Sequence, residues 1–371
     1  MLSLLQTSSP LTKMINGSNE GVSVILCCYN SSQRIEKTLQ ALSKQQVQKD
    51  LKWELIIVDN ASTDNTGQTA ETLWHRLGNK TQMKLVYELK PGLGEARNRG
   101  IREAHFGTLI FCDDDNWLDP KYIQIAKEII DSDCRIAACG GLGIPIFENQ
   151  NPPIWFDEYA EAFALGEQSL NTENGLILNL YGAGLVVRKQ YLMDLYNSGF
   201  TPVMSGRIGK KLSSSEDTEL TYALVLKGYK LQYTDDLKFF HFIPKERLTL
   251  AYLQKLFIAF GTDGPVRNLY YAHISARYIH KHITNWTFHL SLSVFRLVKY
   301  FCIPPKKYGR IIYLKWSLAY IKELIEIKKR YPQLCESISR LKEKQHSNLI
   351  IHNLVLNNKS SSNKGITLDN R

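Results

Sequence analysis

From Gly21 onward, apolar runs alternate with helical stripes. "VSVILCCY" (22–29) is apolar and β-rich, and it ends at Asn30-Ser31-Ser32, a turn and N-cap signal. "RIEKTLQALSKQ" follows, with Ile35, Leu39 and Leu42 at helical spacing. "WELIIVDN" (53–60) is a second buried strand, and Ser62 to Asp64 begin the next helix. "KLVYEL" (84–89) is a third strand, leading into a turn and helix in "PGLGEARNRGIREA". "TLIFC" (108–112) is the fourth, and Asp119-Pro120 opens another helix with Asp as cap and Pro at its first position. Strands alternating with helices predict βαβ units, an α/β fold with a mainly parallel central sheet flanked by helices. Ligands of such sheets bind outside the carboxyl ends of the strands.

The pattern loosens between Ile136 and about Phe242. "IAACGG" and "GAGLVVRK" read as strands, and "SEDTELTYALVLKGY" as a helix that leaves a Ser-rich loop and stops at Gly228. From Pro244 the chain reads as helical. "ITNWTFHLSLSVFRLVKYF" (283–301) sets Trp286, Leu290, Val294, Leu297 and Phe301 on one stripe, with Arg296 and Lys299 off it. His289, Arg296 and Lys299 interrupt the run, so it fails the requirement of about 20 mainly apolar residues for a membrane span. "RIIYLKWSLAYIKELIEIKKR" repeats the pattern with Trp316 and a basic end. The expected organisation is an N-terminal extension (1–20), an α/β domain (21–243, with halves 21–120 and 121–243), a basic amphipathic helical region (244–350) and a polar, disordered tail (351–371).

Charge separates the body from the tail. The 371-residue chain carries a net +10; residues 1–280 hold 29 Lys+Arg against 31 Asp+Glu, a net −2, and residues 281–371 hold 17 against 5, a net +12. A body without basic excess argues against nucleic acid as partner. The basic, aromatic helices suit an anionic membrane surface, and equally a helical subdomain packed on the body. Seven scattered cysteines without a CxxC pair read as reduced thiols. "MLSLLQTSSPLTK" lacks the basic and long apolar regions of a secretory signal. The expected location is cytoplasmic, peripheral on the inner face of the membrane.

Three acidic groups carry the candidate chemistry. Asp59 ends the second strand, Asp113, Asp114 and Asp115 follow the fourth, and Glu216-Asp217 stand at the mouth of a later helix. Parallel strands bring the first two groups to one edge of the sheet. Asp59 reads equally well as a turn former or helix cap, and "SSED" as a capping pattern. The triplet is costlier: adjacent carboxylates at a partly desolvated strand end require positive charge nearby. A hard divalent cation, Mn2+ or Mg2+, shared with phosphate oxygens would supply it. "PGLGEARNRG" is not a dinucleotide fingerprint, because Arg97 stands where the third glycine belongs and the segment follows the third strand; Gly92 and Gly94 read as a tight turn. His241 is a lone histidine after "LKFF".

In this order, "VSVILCCYNSSQRIEKTLQAL", "WELIIVDNASTDNT", "KPGLGEARNRGI" and "TLIFCDDDNWLDP" resemble the nucleotide-sugar-binding half of family-two glycosyltransferases, inverting enzymes of GT-A type (a Rossmann-like fold). "YGAGLVVRKQYL" and "SSEDTELTYALVLKGYKLQYTDDLKFFH" resemble its acceptor half. The resemblance covers about residues 20–243. It implies that Tyr29 and Asp59 hold the nucleobase and that Arg97 contacts the nucleotide region. Asp113 and Asp115 fit the DxD motif that binds ribose and, through the metal, the diphosphate; with three Asp in a row, Asp114 could take one of these places. Asp217 fits the general base, Glu216 orients base or acceptor, and His241 fits a late metal contact. The donor would be a nucleotide-diphospho-sugar, UDP-linked, and the acceptor a glycan or lipid-linked saccharide. The QxxRW signature of processive members is absent, since this region reads "FIPKERLTLAYL", so single transfer is expected over polymerisation. The alternatives are a non-catalytic nucleotide-sugar-binding or assembly protein on the same fold, and a nucleotidyltransferase, whose Gly-rich basic first loop "CCYNSSQRIE" does not match.

Overall fold

A computed structural model describes residues 20–342, apart from 79–80, 149–150, 169–171, 174, 205–214, 276–284 and 304. The N-terminal extension and the polar tail, 351–371, lie outside the described residues, except for Glu20.

The strand order is β3-β2-β1-β4-β9-β6-β10-β5 in one eight-stranded sheet. Its parallel half comprises β1 (Val22–Cys28), β2 (Trp53–Asn60), β3 (Gln82–Glu88) and β4 (Thr108–Asp113). β6 (Ile136–Phe147) and β10 (Lys230–Ile243) pair parallel to each other. The short β9 (Val186–Arg188) joins the halves antiparallel to both β4 and β6. β5 (Asn116–Leu118) was not anticipated; it adds to β10 antiparallel, too short to show a period of its own. A small hairpin, β7 (Thr172–Glu173) and β8 (Leu176–Ile177), stands apart from the sheet.

β1 is buried along its whole length because both faces are covered. Val24, Leu26 and Cys28 pack toward α1 (Ile35–Ser43), α2 (Thr66–Arg76) and α4 (Tyr122–Ser132), through Leu39, Trp74 and Ile123. Ile25 and Cys27 face the other core, which takes Ala96 and Ile101 of α3 (Leu93–Glu103), Leu192 of α5 (Lys189–Asn197) and Leu224 of α6 (Glu216–Leu226). This is the layered arrangement that near-continuous apolar strands require. Two helices start later than the pattern suggests. α2 begins at Thr66 because Asp64 accepts hydrogen bonds from the backbone of Ser32 and Thr66 and spends the intervening residues on a turn. α4 begins at Tyr122, whose N–H bonds to the Asp119 carbonyl.

The C-terminal helices join the same core. α7 (Leu250–Ile274) and α9 (Arg310–Glu326) contribute Val266, Leu269, Tyr320 and Leu324 to the core that holds Ile25. α8 (Trp286–Cys302) lies outermost, anchored by the Trp286 indole N–H on the Leu324 carbonyl at 2.7 Å. The five-residue stripe expected on α8 does not stay together. The inward face runs through Trp286, His289, Leu290 and Ser293, and Val294, Phe295, Val298 and Phe301 turn outward. The helix is rotated so that the His289 ring meets Tyr331, while the buried Ser293 hydroxyl is satisfied within the helix by donating to the His289 carbonyl. No described helix is long and apolar enough to cross a membrane.

Candidate active site

The strand register sets the first part of the site. Cys28 of β1 faces Asp59 of β2, and Cys27 faces Asp113 of β4, so both acidic groups come to one sheet edge. They do not share the same space. Asp59 accepts from the N–H groups of Ser62 and Gly67, at 3.2 and 3.0 Å, which holds the turn into α2. It does not line the cleft beside it; Tyr29, 41% exposed, does.

Each carboxylate of the triplet has an arginine. Asp113 lies 3.8 Å from Arg97, Asp114 is gripped by Arg34 through Nε at 2.9 Å and Nη2 at 2.8 Å, and Asp115 meets Arg247 at 2.9 Å. The positive charge the triplet demands is therefore present in the chain itself, where a metal ion was expected to supply it. Asp114 also accepts from the Ser31 hydroxyl, and its carbonyl from Thr38, so it ties β4 to the start of α1. Asp113 is the more open of the three, its side chain 30% exposed.

Asp115 sits beside His241, with Oδ1 3.7 Å from Nε2. β5 and β10 bring them together, His241 pairing with Asn116. The other ring nitrogen, Nδ1, is 2.8 Å from the Phe163 carbonyl, which can only accept, so Nδ1 carries a proton and Nε2 is the nitrogen that faces Asp115. Two carboxylates and an imidazole suit Mn2+ in chemical type. Among the described residues no three such side chains converge on one point, so phosphate oxygens would have to complete the coordination.

The acceptor half brings in the second acidic pair. Glu216 and Asp217 occupy the first turn of α6, where the helix dipole favours negative charge. Arg97, buried in α3, links the two halves. Its Nη1 donates to Glu216 at 2.8 Å, its Nη2 reaches the Gly182 carbonyl at 3.4 Å and Asp113, and its guanidinium lies over Phe111. Burial works against its charge, but Glu216 and Asp113 outweigh burial and keep Arg97 protonated. Arg97 is thus a bridge between carboxylates. Asp217 accepts from Gly182 N–H at 2.5 Å and from Thr218 N–H at 2.8 Å. A Cβ on Gly182 would come within 2.9 Å of Asp217 Oδ2 and 2.8 Å of Arg97, so this approach needs glycine. Burial pushes the Asp217 carboxyl above the usual range, against Arg97 and the two amides. Gly92, at φ 140°, makes the turn into α3, while Gly94 lies within the helix, its Cα side toward Glu216.

These groups line one cleft of about 520 Å³. Its far wall is aromatic and comes from elements outside the α/β pattern: Tyr159 and Phe163 from the 3₁₀ helix Asp157–Phe163, Tyr252 and Phe257 from α7, and Tyr313 from α9. Reasoning from sequence missed this wall, and missed Arg34 and Arg247, because no motif links positions so far apart. "KER" directly after the β10 strand was the signal available for Arg247.

Similarity to known proteins covers the same part of the chain. The family model of glycosyl transferase family 2 matches residues 23–195. The poly-beta-1,6-N-acetyl-D-glucosamine synthase of Staphylococcus aureus (strain COL) is 26% identical over 219 residues, 58% of this chain and 48% of that protein. The chain thus spans about half the length of this curated relative. Among solved structures, S. aureus TarS 1–349 in complex with UDP-GlcNAc is 20% identical, with TM-score 0.49 over 88% of this chain and 91% of that one. The mannosyltransferase PcManGT from Pyrobaculum calidifontis, in complex with GDP-Man and Mn2+, is 15% identical, with TM-score 0.49 over 90% and 92%. By the family match and the order of its motifs, this chain is similar to glycosyl transferase family 2 over residues 23–195.

Proposed function

We propose that the protein transfers a single sugar, with inversion, from a UDP-linked donor to a saccharide acceptor, with Asp217 as general base. One observation carries this reading: Arg97 holds Asp113 of the strand-end triplet and Glu216 of the acceptor helix in the same cleft. Donor-side and acceptor-side carboxylates are then neighbours by construction. Tyr29 lies where a nucleobase would stack, and Asp59 behind it would accept from the base only with its remaining lone pairs.

The chemistry follows from the side chains. Asp217 accepts the proton of the acceptor hydroxyl, whose oxygen bonds to the anomeric carbon as the bond to the diphosphate breaks. The nucleoside diphosphate leaves with the electron pair, and one displacement inverts the centre. A raised carboxyl is the stronger base, and fixed N–H donors keep its oxygen in place. Glu216 and Arg97 orient it. Asp113, Asp115 and His241 would hold a Mn2+ or Mg2+ ion, which as a Lewis acid stabilises charge on the diphosphate when bound. Arg247 must yield part of its hold on Asp115 for that.

The acceptor is a glycan or lipid-linked saccharide, and the basic helices rest on an anionic membrane surface at the cytoplasmic face. The exposed Phe295, Val298 and Phe301, with Lys299 among them, support that orientation. Vesicle co-sedimentation tests it: binding that rises with anionic lipid content is expected, and none at any content would contradict it. The relative with N-acetylglucosamine in its name makes UDP-N-acetylglucosamine the first donor to try. A thermal-shift screen of nucleoside diphosphates and nucleotide sugars, with and without Mn2+, tests the donor side. UDP is expected to raise the melting temperature, and more so with Mn2+; no shift with any nucleotide would contradict the reading.

A further inference from the structure

The rings of the aromatic wall are given no part in the donor chemistry, although the Phe163 backbone carbonyl holds His241. The wall lies at the junction of the α/β domain with the C-terminal helices, where Tyr159 meets Phe257 at 5.6 Å and Phe257 meets Tyr313 at 5.4 Å, both edge to face. Part of this cluster is sealed as core: Tyr159 is 2% exposed and Leu253 fully buried. Tyr252, Phe257 and Tyr313 are half-buried and border the cleft.

Continuity with Asp217 gives the wall a direction. Tyr181, also half-buried, lies within electrostatic reach of both Asp217 and Glu161, and Glu161 within reach of Tyr313. The lining therefore runs from the base through Tyr181 to Glu161, an exposed carboxylate at the rim, and on to the rings. Flat aromatic faces beside a few hydrogen-bonding groups match a pyranose, which has an apolar C–H face and a hydroxyl edge. Lys306, whose Nζ lies over the Tyr159 ring at 4.8 Å, and Arg267 also border the cleft, so hydrogen-bond donors stand beside the rings as well as the Glu161 acceptor. At the floor, the Tyr159 hydroxyl has no hydrogen-bond partner among the described residues.

We propose that this wall is an acceptor subsite for a saccharide of two or more units, with the sugar next to the reacting one stacked on Tyr252 and Tyr313. The proposal rests on Asp217 marking the acceptor side of the cleft. It gives the C-terminal helices a part in choosing the substrate, beyond any membrane contact.

The full chain would be tested on an immobilised panel of matched mono-, di- and tetrasaccharides, with and without saturating UDP, while UDP affinity is measured separately. The wild type is expected to bind a disaccharide or longer at least about tenfold tighter than its monosaccharide. Tyr252→Leu and Tyr313→Leu, which keep apolar volume and lose the ring face, are expected to lose about tenfold, and Tyr313→Trp to retain binding. Equal binding of all lengths, no saccharide bound, or Leu variants equal to wild type would overturn the subsite. If a Leu variant fails to fold, the length preference of the wild type decides. Absent UDP binding would instead sink the nucleotide-sugar reading, leaving the saccharide result to stand separately.

Discussion

The sheet edge and the helical wall of the cleft are built on different principles. At the edge, charges are locked in local pairs: Arg34 with Asp114 and Arg247 with Asp115 each at under 3 Å, and Arg97 shared between Asp113 and Glu216. At the wall, rings meet edge to face, some sealed and some half-buried, and Lys306 lies over Tyr159. An edge of compensated charge is rigid and selective for a charged ligand, because a diphosphate must exchange partners with groups already paired. A wall of rings tolerates variation in what lies on it. The contrast suits a fixed donor and a longer, less uniform acceptor.

Mutation at the edge should cost most. Asp217→Asn removes the base and is expected to lower kcat by about three orders of magnitude, read by transfer to the best acceptor found on the panel. Arg97→Met leaves Glu216 and Asp113 without their shared cation. Denaturant unfolding is expected to show a loss of about 3–5 kcal/mol, the usual cost of stranding buried charge. Glu219 is the tie between the regions: fully buried on α6, it accepts from the N–H groups of Val203 and Met204 and from the Tyr270 hydroxyl of α7. Burial pushes its carboxyl up to about 7. Its folded pKa lies above the unfolded value of about 4.3, so the folded form binds more protons between those values. The contribution of this residue to stability is then largest below about pH 4 and declines as pH rises toward 7. Across that window the stability of the wild type is expected to fall relative to that of Glu219→Ala, read by unfolding both at each pH. The smallest effect belongs to the outer face: Phe295→Ser and Val298→Ser should shift stability by less than about 0.5 kcal/mol and weaken binding to anionic vesicles.

What could be read from sequence divides along the same line. The strands at 22–29, 53–60 and 108–112 were legible because apolar runs with turn signals at their ends admit few other structures, and parallel pairing then sets Asp59 and Asp113 at one edge. Asp59 also holds the turn into α2, through two backbone hydrogen bonds that no pattern announces. The arginine partners of the triplet were hidden because Arg34, Arg97 and Arg247 come from three elements. The wall was illegible for the same reason, its rings drawn from 159, 252, 257 and 313. On α8, hydrophobic spacing pointed to a stripe including Val294 and Phe301, whereas buried His289 and Ser293 decided which way the helix turned.

The central claim, that the triplet serves the donor and Asp217 the chemistry, is tested most directly by a crossed measurement on Asp115→Ala and Asp217→Asn: UDP affinity with Mn2+ beside transfer rate. The account predicts that Asp115→Ala weakens UDP binding and abolishes its dependence on Mn2+, while Asp217→Asn binds UDP as the wild type does and transfers sugar about a thousandfold more slowly. Turnover at the wild-type rate in Asp217→Asn, or UDP affinity unchanged in Asp115→Ala at every Mn2+ concentration, would contradict it.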